Sequence, residues 1–360
     1  MLDKLLAELS RADSRNQFYV FLNDTDELYS LIKKYSPCEL IIFKPVLPKG
    51  SLLRIVYENI YFRPFIHAYE IDLVYNFTGS RQFFLKIPQL IKVHNLLFYS
   101  KDLDTHYFDT NNRFLWFRHI WFKRIVFKFM VGNSEFIEIQ SRHVKSYLSD
   151  FIDVGEKHFF IKSDVEIKSE YFHATKEYDI SRVVKILYIV GPHFEYLHKN
   201  LRDFNDAMLA LKKIGFDFEI DITLTKSELS ASKMWDQSLD SITNFHGYLD
   251  QLNGLYQDNT VLISTSVVET LGLHVIDGIK NGVITISPDL HYAKVVYGTD
   301  GYRYEIFNSA SLVNTILGAV SDVSNIDRRV QAQQKYMVSS EKNKYDSILT
   351  VFSEVINVQR

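Results

Sequence analysis

Cysteine is nearly absent from this sequence of 360 residues, in which Cys38 is the only one. No disulfide can therefore form within the chain, which fits a reducing compartment such as the cytoplasm. No apolar run approaches the roughly 18–20 residues that are needed to span a bilayer. Acidic residues interrupt the short apolar stretch at 1–8, which does not match the pattern of a signal peptide. We therefore expect a cytoplasmic protein.

The chain also lacks an excess of either charge, because 41 Lys and Arg face 44 Asp and Glu and leave a net charge of −3. This balance argues against a nucleic-acid partner, which a basic excess would indicate. Aromatic residues are abundant, with 27 Phe and 22 Tyr. They fit a well-filled core. A carbohydrate-binding or membrane-binding surface would use the same residues, and composition does not decide among these three roles.

Short apolar runs alternate with helical patterns along the chain, which predicts parallel sheets covered by helices. In the first half, strands are predicted at 18–22, 40–43, 73–75, 90–94, 136–141 and 157–162. In the second half, they are predicted at 184–190, 216–224, 242–245, 261–263, 283–286 and 302–307. Helices are predicted at 1–12, 52–69, 113–130, 201–214, 249–256, 272–281 and 343–357, and from 142 and 309.

The polar stretch 163–182 has no apolar face of helical period and is predicted to connect two domains. We expect a first Rossmann-like domain at 1–170 and a second at 171–342. A final helix within 343–360 is expected to cross back to the first domain.

Two carboxylates eight residues apart, Glu269 and Asp277, lie between two predicted strands and bracket a Gly-Leu step. Glu269 would follow the carboxyl end of one strand, and Gly272 and Leu273 would begin a helix. In a doubly wound sheet, ligands bind at this edge. The free N–H groups at a helix start suit a phosphate, and Asp277 can accept hydrogen bonds from ribose hydroxyls. The alternative is an ordinary βα unit with two surface acids.

This segment resembles the motif of glycosyltransferase family 4, whose members are retaining enzymes of the GT-B fold. The family has Glu, a variable pair, Gly-Leu-Pro, two more residues and Glu, where this chain has His274 at the proline and Asp277 as the second acid. The run Gly-Val-Ile-Thr-Ile-Ser-Pro-Asp at 282–289 is similar to the family's next strand. Weaker matches follow in the expected order at 92–95, 139–145, 191–201 and 246–249.

The resemblance implies a GT-B fold, with two Rossmann-like, doubly wound parallel-sheet domains that face a cleft. The chain begins inside what resembles the family's first helix, so the N-terminal domain is expected to lack its first strand and the glycine-rich loop after it. Pro192 stands where many members carry an arginine next to Gly191, and this removes one cation from the usual phosphate site. His193 is the neighbouring candidate to replace it.

Three residues are candidates for catalysis. Lys199 would neutralise the leaving diphosphate, and Glu269 would lie near the sugar hydroxyls or the reacting centre, where a carboxylate steadies positive charge. His94 would hydrogen-bond the sugar or the acceptor, and a purely structural histidine is the alternative. The residues expected to bind the nucleotide-sugar donor are Gly191, His193, Lys199, Thr270, Gly272, Leu273, His274 and Asp277.

Asp102 and Asp104 form a D-x-D triplet, which holds a metal ion in transferases of the other common fold. The triplet follows a polar turn and not a strand end, so a chance occurrence is the favoured interpretation. No metal ion and no other cofactor is expected to be required.

The predicted helix at 113–130 carries basic residues among aromatic ones and has no acid, with apolar residues at 114, 117, 121, 125 and 129. Such a helix can lie on an anionic membrane surface through 113–129. The slightly favoured alternative is a domain helix that buries its apolar side chains against the sheet.

Taken with these patterns, the resemblance implies a retaining glycosyltransferase that moves a sugar from a nucleotide donor to a glycan, or to a polyprenyl-linked glycan, in bacterial surface polysaccharide synthesis such as that of O-antigen or capsule. The protein would be cytoplasmic, and the helix at 113–129 could in addition hold it on the inner face of the plasma membrane. The alternatives are a catalytically impaired GT-B homologue that acts as a partner subunit, and a GT-B sugar-nucleotide epimerase.

Overall fold

A computed structural model of the chain describes residues 2–23, 26–47, 51–77, 79, 81–83, 85–110, 112–191, 193–342 and 344–359. Pro192 lies outside the described residues. Two halves follow each other along the chain, and each consists of parallel strands and covering helices, as the alternation of apolar runs predicts.

The strands of the first half are β1 (Phe18–Asn23), β2 (Ile41–Leu47), β3 (Val74–Asn76), β4 (Gln89–Val93), β5 (Phe136–Ile139) and β6 (His158–Ile161). Its helices are α1 (Leu2–Leu9), α2 (Asp26–Tyr35), α3 (Ser51–Ala68), α4 (Lys101–Asp109), α5 (Arg113–Trp116), α6 (Phe122–Gly132) and α7 (Arg142–Ser149). Within the described residues these strands form two separate parallel sheets, β1-β2 and β3-β4-β5-β6.

The strands of the second half are β7 (Val184–Tyr188), β8 (Phe218–Ile222), β9 (Thr243–Phe245), β10 (Thr260–Ile263), β11 (Ile284–Pro288) and β12 (Tyr302–Tyr304). Its helices are α8 (Leu201–Lys213), α9 (Lys226–Ala231), α10 (Leu273–Lys280), α11 (His291–Tyr297), α12 (Ser309–Ser321), α13 (Val323–Glu341) and α14 (Ile348–Gln359). The six strands form one parallel sheet in the order β12-β11-β10-β7-β8-β9. β10 is fully buried, as expected for a strand that helices cover on both faces.

Contacts tie the two halves together. One apolar cluster contains Ile91 and Ile139 of the first half together with Leu262 and Val275 of the second. The last helix, α14, packs on α1, and the backbone N–H of Ile348 donates a 2.8 Å hydrogen bond to a side-chain oxygen of Glu8. The C-terminal helix thus lies against the first half.

The helix prediction is wrong at one segment and incomplete at others, because α2, α4, α9, α11 and α13 were not predicted. The segment 249–256 holds only a short 3-10 turn, Asn253–Leu255, where a helix was predicted. The 19-residue helix α13 was not predicted at all. Among the described residues, no helix is both long and apolar enough to cross a membrane.

The basic aromatic segment forms one helical rod, in which a π-helical segment, Phe117–Trp121, joins α5 to α6. The apolar residues of its predicted stripe are exposed, while a different set of apolar residues of the rod, Ile120, Met130 and Val131, is buried as in a domain helix. The exposed fractions of the stripe residues are 76% for Phe114, 52% for Phe117, 38% for Trp121, 48% for Ile125 and 57% for Phe129.

Candidate functional site at the strand ends of the second sheet

The order of strands in the second sheet creates the site. The chain starts in the middle at β7, continues to β8 and β9 on one side, and then crosses to β10, β11 and β12 on the other. The loops after the neighbouring strands β7 and β10 therefore diverge at their carboxyl ends, which is where open α/β sheets bind ligands. Lys199 belongs to the first of these loops and Glu269 to the second.

Lys199 and Glu269 meet there in an ion pair, with 2.6 Å between the lysine Nζ and the glutamate Oε1. The two side chains are 24% and 18% exposed, so the pair is sheltered but reachable from solvent. The backbone of Lys199 is fixed from below, because its carbonyl oxygen accepts a 2.7 Å hydrogen bond from the Thr265 hydroxyl and a 3.3 Å bond from the Tyr188 hydroxyl. Tyr188 is the last residue of β7, so the end of this strand fixes the position of the Lys199 backbone.

Glu269 is held as a carboxylate. Burial raises the pKa of Glu269, but the charge of Lys199, the neighbouring His274 and hydrogen bonds from Lys199 and Ser266 outweigh it, and its pKa is lowered. An ionised, partly sheltered carboxylate can accept hydrogen bonds from hydroxyl groups or steady a nearby positive charge.

The helix α10 begins on the glycine that the sequence predicts. Gly272 has a φ of +59°, and a Cβ atom at this position would lie 1.8 Å from the hydroxyl oxygen of Tyr297. The left-handed backbone and the close approach of Tyr297 both require glycine. Leu273 is the first helical residue and is 45% exposed, and Thr270 is half-buried two residues before Gly272. The N–H groups at the start of α10, which have no partner within the helix, accordingly lie beside Glu269.

His274 lies in the first turn of α10, and its Nε2 is 2.9 Å from the Ser264 hydroxyl. Burial lowers the pKa of His274 to about 4, against the effect of Glu269, so the ring is neutral near pH 7.

Asp277 lies one turn further along α10. Burial raises its pKa, while Lys280 and Lys4 oppose the change. Among the described residues, no hydrogen bond or ion pair joins Asp277 to Lys199 or Glu269.

The loop after β7, which leads to Lys199, carries several rings that contact one another. Gly191 is exposed, and a side chain there would contact nothing within 4 Å. His193 stacks on Tyr196 with 5.1 Å between ring centroids and 1° between ring planes. Tyr196 also faces His119 of the first half at 6.4 Å. Sequence reasoning did not predict a role for Tyr196, because one tyrosine in a loop gives no signal of its own.

His94 lies directly after β4, as predicted, but beside a buried ionic group of the first half. Its pKa is lowered by burial first and then by Lys92. The Nζ of Lys92 is 2.9 Å from an oxygen of Glu138 and 2.6 Å from one of Asp164. Among the described residues, the Nδ1 of His94 is buried and has no hydrogen-bond partner. No described hydrogen bond or ion pair links His94 to Glu269.

His143 of the first half, which the sequence did not single out, hydrogen-bonds directly to the site. Its Nε2 is 2.9 Å from the backbone oxygen of Glu269, and its Nδ1 is 3.1 Å from the Ser141 hydroxyl. Since a carbonyl oxygen only accepts, Nε2 carries the proton and Nδ1 accepts from Ser141. Burial lowers the pKa of His143 to about 4, which keeps this neutral form. His143 of the first half thereby fixes the backbone of Glu269 in the second half.

Asp104 of the D-x-D triplet is occupied by protein partners. Both of its oxygens receive hydrogen bonds from the Arg124 guanidinium, at 2.7 and 2.8 Å, and Trp116 donates a further bond of 2.6 Å. Among the described residues, no group of three or more His, Cys, Asp or Glu side chains could hold a metal ion.

The arrangement of two parallel-sheet halves has clear counterparts among solved structures. A glycosyltransferase from Rickettsia africae is 14% identical, with 99% of this chain and 94% of that chain covered and a TM-score of 0.64. Alr3699/HepE from Anabaena, solved with UDP and glucose, is 12% identical with the same coverage and a TM-score of 0.61. WaaG, a glycosyltransferase involved in lipopolysaccharide biosynthesis, is 11% identical over 95% of this chain and 98% of that chain, with a TM-score of 0.60.

These similarities define the fold as GT-B, with two Rossmann-like domains, and confirm the predicted fold class. At identities of 11–14% they show the fold alone. No family model matches the chain, and no curated protein matches it in sequence.

Proposed function

We propose that this chain is a glycosyltransferase of the family 4 type that moves a sugar from a nucleotide-sugar donor to a glycan acceptor and retains the anomeric configuration. The observation that carries the proposal is the ion pair of Lys199 and Glu269 beside the glycine-opened start of α10. A cation, free backbone N–H groups and a carboxylate at one sheet edge are the groups that a sugar diphosphate needs.

Each group would act at a different part of the donor. As the sugar–phosphate bond breaks, negative charge grows on the leaving diphosphate, and Lys199 with the N–H groups of Gly272, Leu273 and His274 would stabilise it. Glu269 would accept hydrogen bonds from the sugar hydroxyls. Asp277 would accept those of the ribose, and Gly191 and His193 would line the phosphates. This division of labour requires no metal ion, which remains a prediction.

Solved structures with the same fold support a nucleotide donor and a glycan acceptor. Alr3699/HepE was solved with UDP-glucose, and a mutant of TarM from S. aureus was solved with UDP, Fondaparinux and a GlcNAc-glycerol. WaaG is involved in lipopolysaccharide biosynthesis. By analogy of fold, a role in bacterial surface polysaccharide synthesis, with a free or polyprenyl-linked glycan as acceptor, is part of the proposal.

A thermal-shift screen with UDP, GDP, dTDP and their sugar conjugates tests the donor site. One of these nucleotides is expected to raise the melting temperature, because a ligand that binds only the folded state stabilises it by about 2.7 kcal/mol at one hundred times its Kd. Asp277→Ala should need more nucleotide for the same shift, since it removes the ribose acceptor. Asp289→Ala, at an exposed acid on the same sheet edge, is the control. Unchanged melting with every nucleotide at millimolar concentration would contradict the proposal.

We further propose that the exposed aromatic stripe of α5 and α6 rests on an anionic membrane. Basic residues border the stripe, and Arg118, Lys123 and Lys128 are exposed. Arg124, in contrast, is only 12% exposed and pairs with Asp104, so it belongs to the fold and not to this surface. A protein held there would be near a lipid-linked acceptor.

Liposome co-sedimentation tests the membrane contact. Each basic residue near an anionic surface contributes about 1 kcal/mol, so the wild type should pellet with anionic vesicles at low salt and less at high salt. Replacing Arg118, Lys123 and Lys128 by Gln should abolish pelleting. A control with Lys213, Lys233 and Lys342 replaced by Gln, which makes the same change in net charge on the second half, should pellet like the wild type. Equal behaviour of the two triple variants would refute a contact through this helix.

A further inference from the structure

Aromatic rings of both halves of the chain meet beside Lys199. The ring of Tyr196 lies 5.9 Å from the ring of His198, and the ring of His119 in the first half lies 6.4 Å from that of Tyr196. His198 directly precedes Lys199 in the chain. We call His119, Tyr196 and His198 the ring strip. It leads from the rod of α5 and α6 in the first half to the ion pair of Lys199 and Glu269.

Hydrogen bonds of the loop after β7 hold Tyr196 in place. Its backbone N–H donates to the carbonyl of His193 at 3.1 Å, and its carbonyl accepts from the N–H of Lys199 at 2.8 Å. Phe194 anchors the loop, because its side chain is buried in the core of the second half. The side chain of Tyr196 is nevertheless 48% exposed, and His193 stacks against it. An aromatic ring on a fixed backbone thus faces solvent.

The helix α4 of the first half is held against this loop. His106 of α4 stacks on Phe307 of the second half, with 4.0 Å between ring centroids and 5° between ring planes. The next residue, Tyr107, lies beside the ring strip, since burial first and then the neighbouring Tyr196 raise the pKa of the Tyr107 hydroxyl. The contact of α4 with the turn Leu197–Lys199 agrees with this position. A hydroxyl of the first half therefore accompanies the rings.

The polar groups of these rings are open to a ligand. Among the described residues, no hydrogen bond joins the rings of His119 and His198 or the hydroxyl of Tyr107 to a protein partner. Burial lowers the pKa of His198 to about 4. Burial also lowers the pKa of His119, and the nearby Arg118 and Lys123 act in the same direction. Both imidazoles are therefore neutral near pH 7, and a neutral imidazole donates one hydrogen bond and accepts another. These groups suit an uncharged ligand with many hydroxyls.

We propose that the ring strip binds a pyranose ring of the glycan acceptor. The C–H groups on one face of the pyranose pack on Tyr196, and its hydroxyls bond to His119, His198 and Tyr107, which is the usual combination of apolar contact and a few placed polar groups. This inference rests on the proposed function. The occupant is the acceptor and not the donor, because the strip joins both halves and leads to Lys199, whereas every group proposed above for the donor belongs to the second half.

Saturation-transfer NMR on the full chain tests the ring strip without any donor. The probes are the methyl pyranosides of glucose, galactose, mannose and N-acetylglucosamine, and at least one is expected to receive saturation at its ring protons. Tyr196→Leu should weaken the binding of that probe by about five- to tenfold, the value of one aromatic contact. Tyr196→Trp keeps a ring and should keep the binding. Tyr171→Leu is the matched control, because Tyr171 is 40% exposed and lies outside the strip.

Two further measurements on Tyr196→Leu complete the test. It should melt like the wild type, because Tyr196 is exposed, and its affinity for nucleoside diphosphates in calorimetry should stay within about twofold, or about 0.4 kcal/mol, of the wild-type value. No saturation transfer to any pyranoside, or equal pyranoside affinity of Tyr196→Leu and the wild type, would overturn the proposal. Loss of nucleotide affinity with unchanged pyranoside binding would also overturn it, because the strip would then belong to the donor site.

The proposed function can fail separately. Pyranoside binding that depends on Tyr196, together with no binding of any nucleotide, would contradict the donor site and support the ring strip as a carbohydrate site. The two failures are therefore distinguishable.

Discussion

Lys199→Ala is expected to lower the turnover of the proposed sugar transfer by about 10²–10³-fold, the usual effect of removing one group that stabilises developing negative charge. The reason is the position of its ammonium, which lies 2.6 Å from Glu269 at the carboxyl edge of the sheet and is still 24% exposed towards a ligand. Steady-state kinetics with the nucleotide sugar found in the thermal-shift screen provide the measurement.

A structural role of the ion pair must be separated from a catalytic one. Lys199→Ala leaves the sheltered carboxylate of Glu269 without its cation, which by itself destabilises the protein. The double variant Lys199→Met with Glu269→Gln removes both charges and should recover the melting temperature without recovering turnover. Lys199→Arg keeps the cation and should keep part of the activity. Turnover of Lys199→Ala close to that of the wild type would remove Lys199 from the mechanism.

Gly272→Ala is expected to destabilise the protein by about 3 kcal/mol, the sum of a left-handed backbone that disfavours alanine and a close contact in the core. The added Cβ would lie 1.8 Å from the Tyr297 hydroxyl oxygen. Combining it with Tyr297→Phe removes that oxygen, and the next atom of the ring is 3.1 Å away. About half of the lost stability should return, while the cost of the backbone conformation stays.

Urea denaturation measures this change in the free energy of unfolding. Gly318→Ala is the matched control, because a Cβ at this position in α12 meets nothing within 4 Å. It should stabilise the protein by up to about 1 kcal/mol, as alanine does inside a helix. Equal stability of Gly272→Ala and the wild type would mean that the start of α10 does not need its glycine.

The buried strands could be predicted from the sequence because they are short, continuous apolar runs, such as those at 261–263 and 284–286. α13 could not be predicted so easily. Its buried residues are only Ile326, Val330, Gln333 and Met337. One of these is polar, which interrupts the apolar stripe that reveals most helices.

The helix 113–132 illustrates the opposite difficulty. An apolar stripe normally marks the face that packs on a core, and the stripe at 114, 117, 121, 125 and 129 is exposed. The periodicity can be read from the residues, but the direction in which the stripe points cannot. Arg124 shows the same limit, since its partner Asp104 lies twenty residues away on another helix.

The candidate site combines residues that local patterns indicate with others that only the fold brings in. Lys199 and Glu269 are seventy residues apart, and they meet because β7 and β10 are neighbours in the sheet. Each of the two residues was predicted as a site residue from its own local motif, without any indication that they pair. His143 binds the backbone of Glu269 from the other half of the chain, and nothing in the residues around it signals a partner 126 positions away.

Titration calorimetry of the wild type with the nucleoside diphosphates UDP, GDP and dTDP, in the presence of EDTA, tests the central claim most directly. We predict one binding site for at least one of them without a metal ion, and an affinity that falls by about tenfold or more in Lys199→Ala, because a charge-assisted contact to phosphate is lost. Absence of binding heat with all three nucleotides, or binding that Lys199→Ala leaves unchanged, would contradict a donor site at these strand ends.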